Sequence, residues 1–305
     1  MDFDLLLQLT RIKGPSGDEK AIRDFLLDHI NKESGKWAVK PEVLSGPELQ
    51  NNIVLVFGQA RTAIFAHMDT IGFTTRYEDQ LVPIGSPEIE DGYRLRGKDS
   101  LGEIECKLRV DEEGRIFHDF GRAIERGTNL VWNEPLKDLG HSVRGPYMDN
   151  RLGVYACLKV AESLTDGIIV FSTWEEHFGG AVPYLVKHIH ENYGIKQTLV
   201  CDITWVTDGI RHGDGVVISM RDRNIPRRDY LDRIVSIAED SGISYQLEVE
   251  SSGSSDGREI QQSPYPIDWL FIGAPESGVH SPHEQVNKAD VASMIALYRY
   301  LMAML

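Results

Sequence analysis

The strongest constraint on this chain is a succession of short apolar runs separated by amphipathic stretches. NIVLVF at 52–57 and TAIFAH at 62–67 are apolar at odd and even positions alike. Such strands must be covered on both faces, as they are in a sheet lying between layers of helices. WAVKPEV at 37–43, GIIVFSTW, QTLVCDI, GVVIS, SYQLEVE and DWLFIGA are further strand-like runs. Between them the periodicity predicts helices over 2–12, 151–164, 180–190, 228–241 and from about 288 to the end. Ser16 and Glu19 have the spacing of a capping box, which would open another helix running to about Ile30. Strands alternating with helices predict an α/β fold: a mixed, mostly parallel sheet flanked by helices.

The texture changes between 71 and 146. Short pieces such as GYRLRG, GEIECKLRV and GRIFHDF stand between Gly, Pro and Asp turns, and no long helical period is present. This segment reads as a small β-rich domain inserted into a catalytic α/β domain made of 1–70 and 147–305.

Composition excludes several functions. The 305 residues carry a formal net charge of −15, whereas phosphate backbones call for a basic stripe, so no nucleic-acid partner is expected. No apolar run approaches the roughly 20 residues that cross a bilayer, and no membrane association is expected. The N-terminus, MDFDLLLQLTRIKG, has acids where a secretory signal carries positive charge. Cys106, Cys157 and Cys201 have neither CxxC nor disulfide spacing. Together these features predict a cytoplasmic protein.

Open α/β sheets bind ligands beyond the carboxyl ends of their strands. Five such places carry polar residues. TAIFAHMD ends in His67, with Asp69 two residues on and able to face the other ring nitrogen. GPYMDNRLG puts Asp149 just ahead of a helix. IIVFSTWEEHFGG puts Glu175 and Glu176 at the end of a buried strand. TLVCDITW embeds Asp202 in an apolar run. GVHSPHEQVN follows the last strand with His280, and His283 is nearby. Taken singly, His67 and His280 read as loop histidines, and Asp149 as an ordinary helix-capping acid. As a set they are the nitrogen and oxygen donors of a carboxylate-bridged two-metal site, suited to zinc, cobalt or manganese.

AHMDTIGF, MDNRLGV, TWEEHFGG, VCDIT, GSSDGREI and GVHSPHEQVN occur in that order. As an ordered set they resemble the tetrahedral aminopeptidase family, two-metal exopeptidases that include glutamyl and deblocking aminopeptidases within the wider clan of zinc exopeptidases. The resemblance spans nearly the whole chain, and the family also places a β-rich insert between the His and first Asp motifs. It implies a metal-dependent aminopeptidase that takes peptides with a free N-terminus and assembles as a homo-oligomer. It implies two divalent ions, Zn2+ first and Co2+ or Mn2+ as alternatives. His67 would bind one metal, Asp149 would bridge both, Glu176 and Asp202 would bind one each, and His280 would complete the set. Glu175 would be the general base and Asp69 would orient His67, while a cis peptide is implied between Asp149 and Asn150. GSSDG at 253–257 would shape a specificity pocket, or else form a turn capping a helix through Ser or Asp. The insert is short for the family, and Thr70 stands where an acid is common.

Two rival readings keep the same residues. One is a two-metal carboxypeptidase or N-acyl amino acid amidohydrolase, in whose relatives the insert lies later in the chain. The other is a non-catalytic binding protein, which would be expected to have lost ligands or the base.

Overall fold

The apolar runs form the centre of one large mixed sheet in the computed structural model, which describes residues 2–305. Its main strands are β1 (Glu42–Ser45), β2 (Ile53–Phe57), β3 (Ala63–His67), β4 (Gly167–Ser172), β5 (Gln197–Trp205), β6 (Val216–Arg221), β7 (Tyr245–Val249) and β8 (Asp268–Ser277). They lie in the order β1-β2-β4-β3-β5-β8, with β6 on β8 and β7 on β6. The central four, β4, β3, β5 and β8, are parallel to one another.

The alternation within each strand explains why both faces are apolar. Ile64, Ala66, Ile169, Phe171, Leu199 and Cys201 enter one core. Ala63, Phe65, Ile168, Val170 and Val200 enter the other. The first core is closed by α1 (Phe3–Arg11), α2 (Lys20–Glu33), α3 (Met148–Ala161), α5 (Arg228–Ser241) and α7 (Lys288–Met304), and the second by α4 (Val182–Tyr193) and α6 (Gly257–Gln262). None of these helices is long and apolar enough to cross a membrane.

A second sheet of six antiparallel strands lies between β3 and α3 in the chain. Its order is Leu81–Ile84, Gly72–Thr75, Asn129–Trp132, Arg94–Asp99, Gly102–Val110, Ile116–His118. It has its own core, in which the Phe73 and Trp132 rings meet edge to face at 5.1 Å. The short strands Lys137–Asp138 and Ser142–Arg144 instead join the large sheet through Gln285–Asn287.

Three local expectations fail for physical reasons. The run 37–43 is not a strand; Pro41 interrupts it, Trp37 and Val39 pack irregularly on the core, and pairing with β2 begins only at Glu42. The Ser16/Glu19 capping box does not form. Glu19 instead accepts from the Gly17 amide at 2.6 Å, and the Ser16 hydroxyl donates to Asp69 at 2.6 Å. Nor do Ser or Asp side chains cap α6: Ser255 bonds Asp202 at 2.6 Å, and Asp256 accepts from Ser172. In both places a serine that looked like a helix cap instead donates to a carboxylate of the site.

Helix α3 seats directly on β5 at Gly153. A Cβ there would lie 2.3 Å from both the Asn150 Oδ1 and the Cys201 carbonyl oxygen. The second of these is backbone in a central strand and cannot yield. Gly153→Ala should therefore destabilise the protein by about 1–3 kcal/mol, the usual cost of overpacking. A urea denaturation midpoint indistinguishable from that of the parent would contradict this packing.

Candidate metal centre

His67 ends β3 and Asp202 lies in β5, at the same odd–even positions as Phe65 and Val200, so both leave the sheet on the side of α4 and α6. Asp149 arrives from the opposite layer, at the start of α3, across a cis Asp149–Asn150 peptide. Glu175 and Glu176 follow β4, and His280 follows β8. Tyr147, Trp174 and His280 all have left-handed backbones, with φ of 67°, 65° and 63°. That region is disfavoured for residues with a side chain, and such strain gathers where a site over-determines the chain path.

These residues converge into two triads that share Asp149. His67, Asp149 and Asp202 offer ligand atoms within 4.8 Å of one another, and so do Asp149, Glu176 and His280. The two oxygens of Asp149 divide between them: Oδ1 lies 3.1 Å from His67 Nε2, and Oδ2 lies 3.3 Å from His280 Nε2. Asp202 Oδ2 is 3.4 Å from His67 Nε2, and Glu176 Oε2 is 3.2 Å from His280 Nε2. Glu175 stands nearby without joining either triad, its Oε2 4.0 Å from His67 Nε2.

Each histidine is held from behind. His67 Nδ1 is 3.5 Å from Asp69, which also accepts from Ser16 and from the Glu175 and Glu176 amides at 3.1 and 3.2 Å. Asp69 thus fixes the first histidine and the turn bearing the two glutamates together. His280 Nδ1 is 3.1 Å from the Ser86 carbonyl oxygen. A carbonyl only accepts, so an Nδ1–H suits this contact, and the Ser86 hydroxyl 2.9 Å from the same nitrogen can accept as well; in that form Nε2 is the ring nitrogen that faces the acids. Glu284, fully buried, accepts from the Met148, Asp149 and His280 amides and ties the two sides of the site.

Sequence reasoning did not find Ser86 or Glu284, read Ser16 as a helix cap, and reached Asp256 only as part of GSSDG, a pocket segment or helix cap. Ser86 is contributed by the second sheet's segment and carries no pattern of its own. Glu284 had one readable signal, an acid four residues after His280.

The electrostatics call for cations. Burial, reinforced by neighbouring carboxylates, pushes the Glu175 carboxyl well above its usual range and Glu176 to about 7. Burial likewise raises Asp256 to about 7 and holds Glu276 and Glu284 well up. Burial acts to lower His67, but Asp202, Asp149 and Asp69 outweigh it and hold the imidazole well above normal; Glu176 and Asp149 do the same for His280. Asp149 Oδ1 and Glu176 Oε1 are buried and make no hydrogen bond. Such a concentration of buried acid without a counter-charge is costly, and these donors fit a pair of divalent cations.

Acids with raised values bind protons in the folded state over roughly pH 4 to 7, where the unfolded chain has released them. The raised histidines likewise lend stability that is lost as pH rises from their unfolded value. Metal-free protein should therefore become less stable from pH 5 to pH 8. Zinc should raise the calorimetric midpoint more at pH 8 than at pH 5, and an equal increment at both would count against the site's charge balance.

Comparison with known proteins places the chain in a family. The family model described as M42 glutamyl aminopeptidase matches residues 99–297. A relative from Acetivibrio thermocellus that bears an aminopeptidase name is 25% identical over 333 residues, covering 97% of this chain and 96% of its own. The fold is similar to that of aminopeptidase APDkam598 from the archaeon Desulfurococcus kamchatkensis, with a TM-score of 0.87 at 23% identity, covering 99% of this chain and 94% of that one. It is also similar to the Pyrococcus horikoshii TET1 peptidase, which can assemble into a tetrahedron or a large octahedral shell, with a TM-score of 0.80 at 22% identity and 98% coverage of each chain. The chain belongs to the M42 glutamyl aminopeptidase family and is a metal-dependent aminopeptidase.

Proposed function

We propose that this chain removes N-terminal residues from peptides at a centre of two divalent cations. His67, Asp149 and Asp202 would hold one cation, and Asp149, Glu176 and His280 would hold the other. The observation that carries this reading is the division of the two Asp149 oxygens between the two histidines. Nitrogen and oxygen donors without thiolate suit zinc, cobalt or manganese, and zinc is the first choice. When bound, such ions polarise a scissile carbonyl and lower the pKa of water.

The chain's own residues do the rest. Glu175 stands partly buried beside the triads, and burial makes its carboxylate hold a proton more tightly than an exposed one does. Its Oε2 takes the proton of the attacking water, holds it, and delivers it to the leaving amine. Asp69 keeps His67 and the Glu175–Glu176 turn in register. The carboxylate-lined cavity accepts the positive α-amine of a free N-terminus, and an internal peptide bond offers no such group.

We assign 71–146 to an inserted β-rich domain that governs substrate access and homo-oligomer assembly, since Ser86 and Glu88 reach the cavity from it. Three free, buried cysteines suit a reducing cytoplasm.

The test uses short peptides with free or acetylated N-termini, given to chelated protein and again after adding zinc, cobalt or manganese. Metal-dependent release of the first residue from the free-amine set alone is expected. Cleavage of acetylated peptides or release from the C-terminus would replace this reading with the amidohydrolase or carboxypeptidase one.

A further inference from the structure

Among the described residues only one Lys or Arg side chain is buried: Arg151, near the start of α3 and two residues after Asp149. A buried guanidinium ordinarily pairs with a carboxylate. This one engages main chain instead. Nη1 donates to the Met68 carbonyl oxygen and Nη2 to the Ile12 carbonyl oxygen at 3.1 Å, while Nε has no partner. A buried charge is costly, and the two carbonyls that this one engages show what it holds.

Met68 stands between His67 and Asp69, and Ile12 leads into the loop that carries Ser16. The two segments run side by side: the Thr70 amide donates to the Gly14 carbonyl oxygen at 3.0 Å, and the Ser16 amide to that of Thr70 at 3.1 Å. From α3, Arg151 thus pins the pair of segments whose side chains Ser16 and Asp69 hold His67 from behind. The approach is close, since a Cβ on Gly14 would lie 2.9 Å from Arg151 Nη2 and 2.8 Å from Ile22 Cγ2. The residues around Asp149 tie it to the other ligands in the same manner. Asn150 Nδ2 donates at 2.9 Å to the carbonyl oxygen of Cys201, which precedes Asp202. Glu284 accepts from the Asp149 and His280 amides at 3.3 and 3.0 Å. Arg151 supplies the tie to the His67 turn.

We infer that Arg151 is a positioning residue for one cation of the pair: it fixes the His67 turn against Asp149, and the triad of Asp149, Glu176 and His280 does not depend on it. The inference rests on the two-cation reading above. Charge alone predicts the opposite sign. A guanidinium beside the centre repels cations, so its loss would tighten both sites. Loss of a contact that orients a ligand instead weakens the site it orients, typically by about 10–100-fold in metal affinity. Lysine keeps the charge but is a single point on a flexible stem, and it does not reproduce a planar fork that reaches two carbonyls at once.

The experiment measures zinc affinity by competition with a chelator in the whole protein, with anomalous diffraction to tell the two sites apart. Arg151→Lys and Arg151→Met should each weaken the ion among His67, Asp149 and Asp202 by about 10–100-fold. The ion among Asp149, Glu176 and His280 should keep its parental affinity or gain. Gly14→Ala crowds the guanidinium without removing it and should show a smaller loss at the same site. It decides the matter if near-ultraviolet circular dichroism shows that neither Arg151 variant folds. Parental or tighter binding at the His67 site, or equal weakening of both sites in a folded variant, would overturn the inference and leave the two-cation reading standing. A parent chain that binds zinc at neither triad would instead remove that reading and this inference with it.

Discussion

Glu175→Gln is expected to lower kcat by about a thousandfold while leaving two metal ions bound per chain. Glu175 sits 4.0 Å from His67 Nε2 and is absent from both ligand triads, so the amide should not disturb them. What it removes is a proton acceptor whose affinity burial has raised. General base catalysis is typically worth about 10²–10⁴-fold, and the expected loss lies within that range. KM should change little, because the amide keeps the shape of the pocket. The pair of measurements is decisive: metal content by mass spectrometry together with kcat on a free-amine peptide. Full turnover would remove Glu175 from the proton-transfer role. Lost turnover accompanied by lost metal would make it a ligand instead.

The second large effect is at Asp149. Asp149→Ala removes the one residue that both triads share, so a single substitution should weaken both cation sites. Activity should fall by more than about 10⁴-fold, near the limit of detection, since cation binding and charge stabilisation are lost together. Metal content after dialysis should drop from two ions to fewer than one. Asp202→Ala and Glu176→Ala should behave differently, each lowering the content by about one ion. If Asp149→Ala also loses only one ion, Asp149 does not bridge. The fold should survive the change, because Asp149 Oδ1 makes no hydrogen bond and the residue belongs to a buried cluster of excess acid. Intact near-ultraviolet circular dichroism checks this.

The sheet was legible because β2 and β3 must be covered on both faces, and an apolar run at every position has few other solutions. Helices with a single apolar stripe, such as α5, were readable to the residue. The first edge strand was not, since Trp37 and Val39 look like strand residues but pack irregularly ahead of Pro41. The rule that ligands gather beyond strand ends pointed to His67, Glu176, Asp202 and His280 as places to look, and the structure brings them together around Asp149. It could not point to the residues that hold them. Ser16 and Asp256 have local patterns of helix caps, and only contacts 53 and 84 residues away divert them to Asp69 and Ser172. Ser86 is a loop serine until the second sheet folds and brings its carbonyl against His280. Such supporting contacts depend on tertiary approach, which local spacing does not encode. The acidity of the cavity was also hidden, because Glu248 on β7 and Glu250 just after it reach the cavity through that strand's place in the sheet, which the sequence did not reveal.

The central claim is a pair of cations held by two triads with Asp149 in common. Anomalous diffraction from crystals of the zinc-loaded protein tests it most directly. Two peaks are predicted, one among His67, Asp149 and Asp202 and the other among Asp149, Glu176 and His280, each with a different Asp149 oxygen as its ligand. A single peak, or two peaks of which one has no contact with Asp149, would contradict the account.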